Sequence, residues 1–284
     1  MALGDVNRIG TNLGALSALN ALCDVNRQLQ VSQLRLATGK RITEASDDPA
    51  GFSIANKLSR TARGLSVALN DIQTFENLLS VAEGGISSIK DIVLAIRDLF
   101  VQASSDTVGV TERAAMNNQL TAMRAEVDRI AAQTSFNGTK LLDGSFVARR
   151  FQTGDSGGDY ITFGITQNFS SSTLGSPPFG VLSNLNLSSA GSAGEFIMTI
   201  DSRIMSVVTT QLQQIGGMMQ RVRLIENQLS TAATSTTAAK SRITDTDVAK
   251  EQATSTRLTI IRQLATAQLG HATLAPRSVL ALLR

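Results

Sequence analysis

The sequence predicts a mainly α-helical protein, a long coiled-coil helical bundle with a small β-hairpin region and with its N- and C-terminal helices paired. Three observations predict this fold class. Aromatic residues make up only 4% of the 284 residues and Trp is absent, a composition that suits helices packed through small residues better than a β-sandwich or barrel. Apolar residues recur at steps of three and four over several long segments. Turn residues are concentrated in the middle of the chain.

The first predicted helix carries leucines at heptad-like spacing up to Gly39, which predicts a narrow apolar seam. A second helix is predicted to begin at Pro49, because proline is tolerated at the first helical position and Ser46-Asp-Asp precedes it as a capping segment. Apolar positions then recur from Leu58 to Phe100, a length typical of a coiled coil. The seam residues of the first helix are Leu13, Leu16, Leu22, Leu29 and Leu36.

The middle of the chain is the least regular part. Residues 116–130 predict a third amphipathic helix, and the alternating segments 146–151 and 160–165 predict a small β-hairpin. The segment 166–194 is rich in Ser, Gly and Asn, so we expect a short, variable and exposed surface loop. Helical periodicity resumes at residue 200 and continues to 229.

A last helix, capped by Thr244 or Asp245, is predicted to end before Pro276. Its apolar seam residues are Leu258, Ile261, Leu264 and Leu269. Two helices with such narrow seams bury little area between themselves, so we expect neighbouring copies of the chain to complete their packing. The nested order predicts an inner helical domain (1–39 and 245–284), a connection (40–50 and 240–244), and an outer helical domain with the hairpin (51–165 and 195–239).

Composition excludes several function classes. The formal net charge is +3 and the C-terminal arginines are scattered without aromatic neighbours, so nucleic acid is not an expected partner. Cys23 is the single cysteine, which excludes an internal disulfide; we expect it to pack as a small apolar side chain. We expect neither a Sec-type signal nor a membrane span, because the N-terminal residues lack a basic region followed by an apolar one.

Groups that could carry catalysis are scarce. His271 is the single histidine, near a helix end where capping or exposure is the ordinary role. The adjacent carboxylates Asp47 and Asp48 are explained by capping of the helix that Pro49 opens, and residues 154–158 lack the lysine of a phosphate loop. We therefore predict no enzyme and no catalytic, cofactor-binding or metal-binding residue. Hydroxyl groups in the middle loop could be modified, or could be bare: Ser170, Ser171, Ser172 and Thr173.

Signatures at both ends of the chain resemble those of bacterial flagellins. Residues 35–55, which include Arg41-Ile-Thr-Glu-Ala-Ser-Asp-Asp-Pro49, and residues 129–144, which include Phe136-Asn-Gly-Thr139, resemble the N-terminal signatures of that family. Residues 241–249 and the closing Val279-Leu-Ala-Leu-Leu-Arg284 resemble its C-terminal region. The resemblance implies a filament core built from the two terminal helices. It also implies a connection formed by Arg41, Asp47, Asp48 and Pro49.

The same resemblance implies a function and its partners. It implies a secreted structural subunit that self-polymerises into the extracellular flagellar filament for motility. Further implied partners are an export chaperone, the type III export apparatus, and the filament cap and hook-junction proteins. A Toll-like receptor reads some flagellins through an arginine and a glutamate, which fall here at Ala95 and Gln119; we expect weak or no recognition.

Two alternative classes remain open from the sequence. A hook-filament junction protein shares the nested ends and the Asp-Asp-Pro signature, although the Phe-Asn-Gly-Thr motif and the closing Leu-Leu-Arg favour flagellin. A type III secreted effector or adhesin could use coiled coils to bind a host partner, and a minor enzyme could lie in the middle loop. Self-polymerisation of the purified protein separates these classes from a flagellin.

Overall fold

The computed structural model describes residues 11–174, 182–187 and 190–282, and these residues are mainly helical. The α-helices are α1 (Leu13–Thr38), α2 (Pro49–Ala103), α3 (Val110–Gln133), α4 (Ala190–Thr199), α5 (Met205–Thr244) and α6 (Val248–Leu282). A π-helical segment, Ile200–Ile204, joins α4 to α5, and Leu182–Asn184 form a 3₁₀ turn. The strands are β1 (Ser135–Phe136), β2 (Thr139–Lys140), β3 (Phe146–Gln152) and β4 (Tyr160–Ile165). The predicted fold class is confirmed.

The chain divides into two compact units, residues 1–60 with 235–284 and residues 61–234. In the first unit α1 and α6 run antiparallel. The Asn12 amide donates to the carbonyl of Ala272, and the Ser32 hydroxyl donates to that of Glu251. The pairing of the N- and C-terminal helices that the sequence predicts is therefore present.

The core of the second unit lies along one face of α2. Its fully buried side chains recur at steps of three and four residues, which is why one face of a long helix can be apolar throughout. Side chains from α3, α5 and the β3–β4 hairpin complete this core, and the ring of Phe75 stacks on that of Phe151 with centroids 3.7 Å apart. The α2 members are Ile72, Phe75, Leu79, Ala82, Ile86, Ile89, Val93, Ile96 and Phe100.

Both strand pairs depend on positive-φ backbone. Asn137 and Gly138 join β1 to β2 with φ of 47° and 75°, as a two-residue hairpin turn requires at both positions. Strands β3 and β4 pair antiparallel and confirm the predicted hairpin, but their register is irregular between Phe146 and Arg149. Within this bulge Ala148 has φ 46°, a left-handed value that an alanine rarely adopts.

The expectation of an exposed loop over residues 166–194 was wrong for many of the residues that the structure describes. Phe169, Leu174, Leu182, Leu185 and Leu187 are all buried, and α4 already begins at residue 190. The apolar residues of this segment are too sparse among Ser, Gly and Asn to give a period, so the sequence pattern concealed their burial. Pro177 and Pro178 lie outside the described residues.

The polar face of α3 holds this segment in place. Asp128 accepts hydrogen bonds of 2.7 Å from both the backbone N–H and the hydroxyl of Ser171. Arg124 donates to the carbonyl of Leu185, and Asn117 accepts from the N–H of Leu187 at 3.0 Å. Three side chains on one helix therefore satisfy backbone groups of this segment.

The prediction that the last helix ends before Pro276 was also wrong, since α6 continues to Leu282. Proline disfavours a helix because it cannot donate to the carbonyl four residues earlier, here that of Ala272. That carbonyl accepts a hydrogen bond from Asn12 instead. The helix loses one internal bond at this position and gains one from α1.

Candidate assembly interface

Pairing of α1 with α6 shields only part of the predicted seams. On α1 the shielded positions recur at heptad spacing and include the small residues Ala18, Val25 and Ser32. Leu29 and Leu258 are the best buried of the predicted seam residues, each only 4% exposed, and Leu22, Leu36 and Leu269 are partly buried. These five predicted residues lie on the face where the two helices meet.

The other four predicted seam residues remain exposed in the single chain. Leu13 is 51% exposed, Leu16 53%, Ile261 37% and Leu264 61%. The sequence pattern identified them as apolar positions of a seam, but one partner helix cannot cover a stripe that extends around so much of each helix. The structure therefore separates the predicted interface residues into an intramolecular group and an unpartnered group.

Further apolar side chains, which the predicted interface did not include, extend this unpartnered surface. Leu19 and Leu34 on α1, and Ile260 and Leu274 on α6, are each exposed. On α6, Ile260, Leu264, His271 and Leu274 follow steps of four, seven and three, which is one face of a helix. The same periodicity, searched for a second stripe, would have found them. We call this α6 face the outer stripe.

An open cleft lies between α1 and α6. It has a volume of about 280 Å³ and is lined by Val31, Thr254 and Leu258, with Arg27 and Arg35 at its side. The cleft is mainly apolar and large enough for one or two side chains. Cys23, expected to pack as a small apolar residue, is instead exposed on α1, because it lies between the shielded positions rather than on them.

The connecting segments are tied together by backbone hydrogen bonds. Arg41 donates its backbone N–H to the carbonyl of Thr244 at 2.7 Å and its guanidinium to that of Ile243 at 2.8 Å. These carbonyls belong to the last turn of α5, where no helical N–H remains to bind them. The N–H of Thr246 donates to the carbonyl of Gly39 at 2.9 Å. Arg41 thus caps a helix far from it in sequence.

The two adjacent carboxylates of the connection have separate roles. Asp48 accepts from the N–H of Gly51 at 2.9 Å and caps α2, which begins at Pro49 as predicted. Asp47 accepts from the N–H and hydroxyl of Thr43, both at 2.9 Å, and from the N–H of Glu44. Those backbone bonds, chiefly the one from Thr43, hold the pKa of the Asp47 carboxyl below its usual range.

The carboxylate of Asp245, directly after α5, is also stabilised in its ionised form by hydrogen bonds. Asp245 accepts from the hydroxyls of Ser241 and Thr244, and these bonds lower the pKa of its carboxyl. Both carboxylates accept hydrogen bonds and neither lies beside a histidine or cysteine in the part of the chain that the structure describes. Their hydrogen bonds stabilise the turns on both sides of the connection.

The hydroxyl groups considered for modification differ in access. Ser171 is buried and its hydroxyl is bound by Asp128, so this position was wrongly grouped with exposed ones. Ser172 and Thr173 are exposed, and Ser170 is intermediate. Within the described ranges, no group of three or more His, Cys, Asp and Glu side chains could hold a metal ion. No described helix is both long enough and apolar enough to cross a membrane.

Comparison with protein families identifies the chain. The model of the bacterial flagellin N-terminal helical region matches residues 9–147, and that of the bacterial flagellin C-terminal helical region matches residues 197–283. Together they cover well over half of the sequence. The chain belongs to the bacterial flagellin family. Flagellins are structural proteins. The N-terminal match contains α1, and the C-terminal match contains α6.

Curated relatives among the flagellins agree with this assignment. The "Flagellar filament 33 kDa core protein" of Treponema phagedenis is 30% identical over 285 residues, which covers 97% of this chain and 99% of the relative. "Flagellin A" of Vibrio cholerae serotype O1 is 39% identical over 158 residues, 56% of this chain. The aligned part is 42% of that Vibrio protein, so the match spans less than half of its length.

A solved structure supports the fold. The structure of a putative flagellar hook-associated protein from Vibrio parahaemolyticus superposes with a TM-score of 0.58, covering 70% of this chain and all of that one. Its sequence identity to this flagellin-family chain is 14%, so the likeness concerns the fold alone.

Proposed function

We propose that this chain is a structural subunit that self-polymerises into the filament of a bacterial flagellum, and that α1 and α6 supply its inner subunit contacts. The observation that carries the proposal is the apolar surface that the paired terminal helices leave exposed in the single chain. Leu13, Leu16, Ile261 and Leu264 are exposed leucine and isoleucine side chains on the two helices that pair. Surfaces of this kind mark contacts with other molecules.

In this mechanism, the exposed apolar side chains of α1 and α6 become buried when subunits assemble. Leu29 and Leu258 hold α1 against α6 within one subunit, together with the partly buried Leu22, Leu36 and Leu269. The exposed residues of both helices then pack against neighbouring copies, and side chains from those copies fill the cleft beside Val31. Because so little area is buried within one subunit, the terminal helices are ordered chiefly by assembly.

The connection has a role of its own in this proposal. Arg41 caps the end of α5, and Asp48 caps α2, which begins at Pro49. Asp47 stabilises the turn between α1 and α2.

The same proposal includes partners outside the filament. An export chaperone would cover α6 before assembly, the type III apparatus would export the chain, and cap and hook-junction proteins would bound the filament at the cell exterior. Exposed Ser172 or Thr173 would be the hydroxyls to carry any modification. Ala95 and Gln119 lack the charges of receptor-binding flagellins, so a Toll-like receptor would respond weakly; potent activation in a reporter assay would contradict this.

The filament assignment is tested by a charge placed on the unpartnered surface. Ile261→Asp is expected to leave residues 61–234 folded by circular dichroism but to abolish filaments in negative-stain images after seeding. Thr266→Asp is the matched control. Thr266 is exposed and lies about 140° around α6 from Ile261 at the standard helical rotation.

The outcomes separate the proposed function from its rivals. Filaments from wild type and Thr266→Asp but not from Ile261→Asp support the interface. Normal filaments from Ile261→Asp contradict it. Persistent monomers of the wild-type protein under all seeding conditions would favour a junction protein or a secreted effector.

A further inference from the structure

The carbonyl of Ala272 has no hydrogen-bond donor four residues later within α6. In a regular helix it would accept from the N–H four residues later, and that residue is Pro276, which has no N–H. The helix nevertheless continues to Leu282. A partly buried carbonyl in this position needs a donor from outside its own helix.

One side chain supplies that donor and caps another helix as well. The Nδ2 of Asn12 donates to the carbonyl oxygen of Ala272 at 2.7 Å. The Oδ1 of the same amide accepts from the N–H of Ala15 at 3.0 Å and so caps the first turn of α1. An asparagine can do both because its amide carries a donor and an acceptor on one short side chain, whereas an aspartate can only accept.

The position of this contact fixes the register of the helix pair. A second contact joins the hydroxyl of Ser32 to the carbonyl of Glu251. Twenty residues of α1 separate Asn12 from Ser32 and twenty-one residues of α6 separate Glu251 from Ala272. The two helices therefore run in step between these points. A slip of one turn would take Asn12 away from the single carbonyl of this region that a proline has freed.

We propose that Asn12 and Pro276 form a register pin. Pro276 leaves one carbonyl of α6 free, and Asn12 recognises that carbonyl while it starts α1. Asn12 is a positioning residue that sets which residues of the terminal helices lie side by side. The pin deepens the proposed function, because the same register decides how the exposed residues of both helices are presented to a neighbouring subunit. It acts within one chain and does not require that filaments form.

Three variants of the full-length chain test the pin. Asn12→Asp keeps the cap of α1 but cannot donate to Ala272. Pro276→Ala restores an N–H that binds Ala272 within α6, so Asn12 is no longer needed there. The double variant combines the two. The measurement is amide hydrogen exchange, followed by mass spectrometry, of peptides that cover residues 12–24 and 265–282.

The pin predicts coupling between the two sites. Asn12→Asp is expected to accelerate exchange in the first turns of α1 about fivefold in the wild-type background, the effect of one hydrogen bond. In the Pro276→Ala background the same substitution is expected to change exchange less than twofold. Equal acceleration in both backgrounds would mean that Asn12 acts only as a cap and would overturn the pin. No acceleration in either background would overturn it as well.

The exchange experiment tests the pin in free subunits or in filaments. If residues 12–24 exchange at the rate of an unfolded chain in the free subunit, the same four proteins are measured as filaments. Absence of protection in both forms overturns the pin. The chain could also show amide protection and the predicted coupling between Asn12 and Pro276 without ever forming filaments. That result would support the pin and contradict only the proposed function.

Discussion

The outer stripe of α6 permits a quantitative prediction for assembly. Leu264 is 61% exposed in the single chain, whereas Leu258, six residues earlier on the same helix, is 4% exposed. If neighbouring subunits cover the stripe, Leu264→Ala removes apolar area that becomes buried only on assembly. Leu258→Ala removes area that is already buried within the subunit. The two substitutions are chemically identical and differ only in when the side chain leaves water.

The magnitude follows from the exposed fraction. Complete burial of a leucine side chain is worth about 1.5–3 kcal/mol. The exposed 61% of Leu264 then corresponds to about 1–2 kcal/mol for each subunit that joins the filament. That free energy raises the critical concentration for polymerisation by a factor of about 5–30. By the same measure the isolated subunit loses about 0.6–1.2 kcal/mol, for the part of Leu264 that is already covered, which is less than the loss expected for Leu258→Ala.

The assay is sedimentation of filaments grown from seeds to equilibrium, with the subunit concentration in the supernatant taken as the critical concentration. Leu258→Ala is the control, and it is expected to accelerate amide exchange in α1 and α6 of each subunit. A critical concentration for Leu264→Ala within twofold of the wild-type value would refute the reasoning. So would a loss of subunit stability for Leu264→Ala as large as that for Leu258→Ala.

Three other predictions concern the hairpin bulge and the connection. Ala148→Gly relieves a left-handed φ and is expected to stabilise residues 61–234 by about 1 kcal/mol in urea titrations. Gly164→Ala is expected to destabilise the same residues by about 1–3 kcal/mol, because its Cβ would lie 2.6 Å from the Ala148 nitrogen. Arg41→Gln removes a cap from α5 and is expected to accelerate amide exchange at Thr246 about three- to fivefold. Asp47→Asn lowers the melting temperature at pH 7 but not in strong acid.

The sign of the last prediction follows from the lowered pKa of Asp47. Its stabilising contribution is complete above the unfolded-state value of 3.8 and is lost as the pH falls through the lower folded-state pKa. The wild-type and Asp47→Asn melting curves, followed by circular dichroism, therefore converge below pH 3.8. A constant difference down to pH 2 would contradict the assignment of that pKa. A stabilising Gly164→Ala, or unchanged exchange in Arg41→Gln, would contradict the other two.

The sequence predicted the long helices because their determinants are local. The apolar spacing along α2, the capping carboxylate of Asp48 and the proline that follows it all act within a few residues of each other. The β3–β4 hairpin follows from its local alternation in the same way. These elements were predicted with bounds close to those in the structure.

The remaining features depend on contacts between distant residues. Ser171, Leu185 and Leu187 are held by side chains of α3, such as Asp128, and the spacing of apolar residues does not predict such bonds. The carbonyl that Pro276 leaves free in α6 is bound by Asn12, which is 264 positions away from that proline in the sequence. The division of the seam into covered and uncovered leucines depends on how far around each helix the partner reaches, which spacing alone does not specify.

The bonds between α3 and the segment after β4 have a practical consequence for protein engineering. The N–H of Leu182 donates to the carbonyl of Leu174 at 3.3 Å, and that of Ser183 donates to the carbonyl of Ser171 at 3.0 Å. Leu174 and Leu182, the described residues on either side of residues 175–181 in the sequence, are therefore hydrogen-bonded to each other, and Asp128 and Arg124 bind residues near them. A foreign peptide inserted there would have its ends already joined, and each doubling of its length would cost only about 0.6 kcal/mol in closure entropy. If the chain polymerises as proposed, an insertion between Leu174 and Leu182 would display the peptide in many regularly spaced copies.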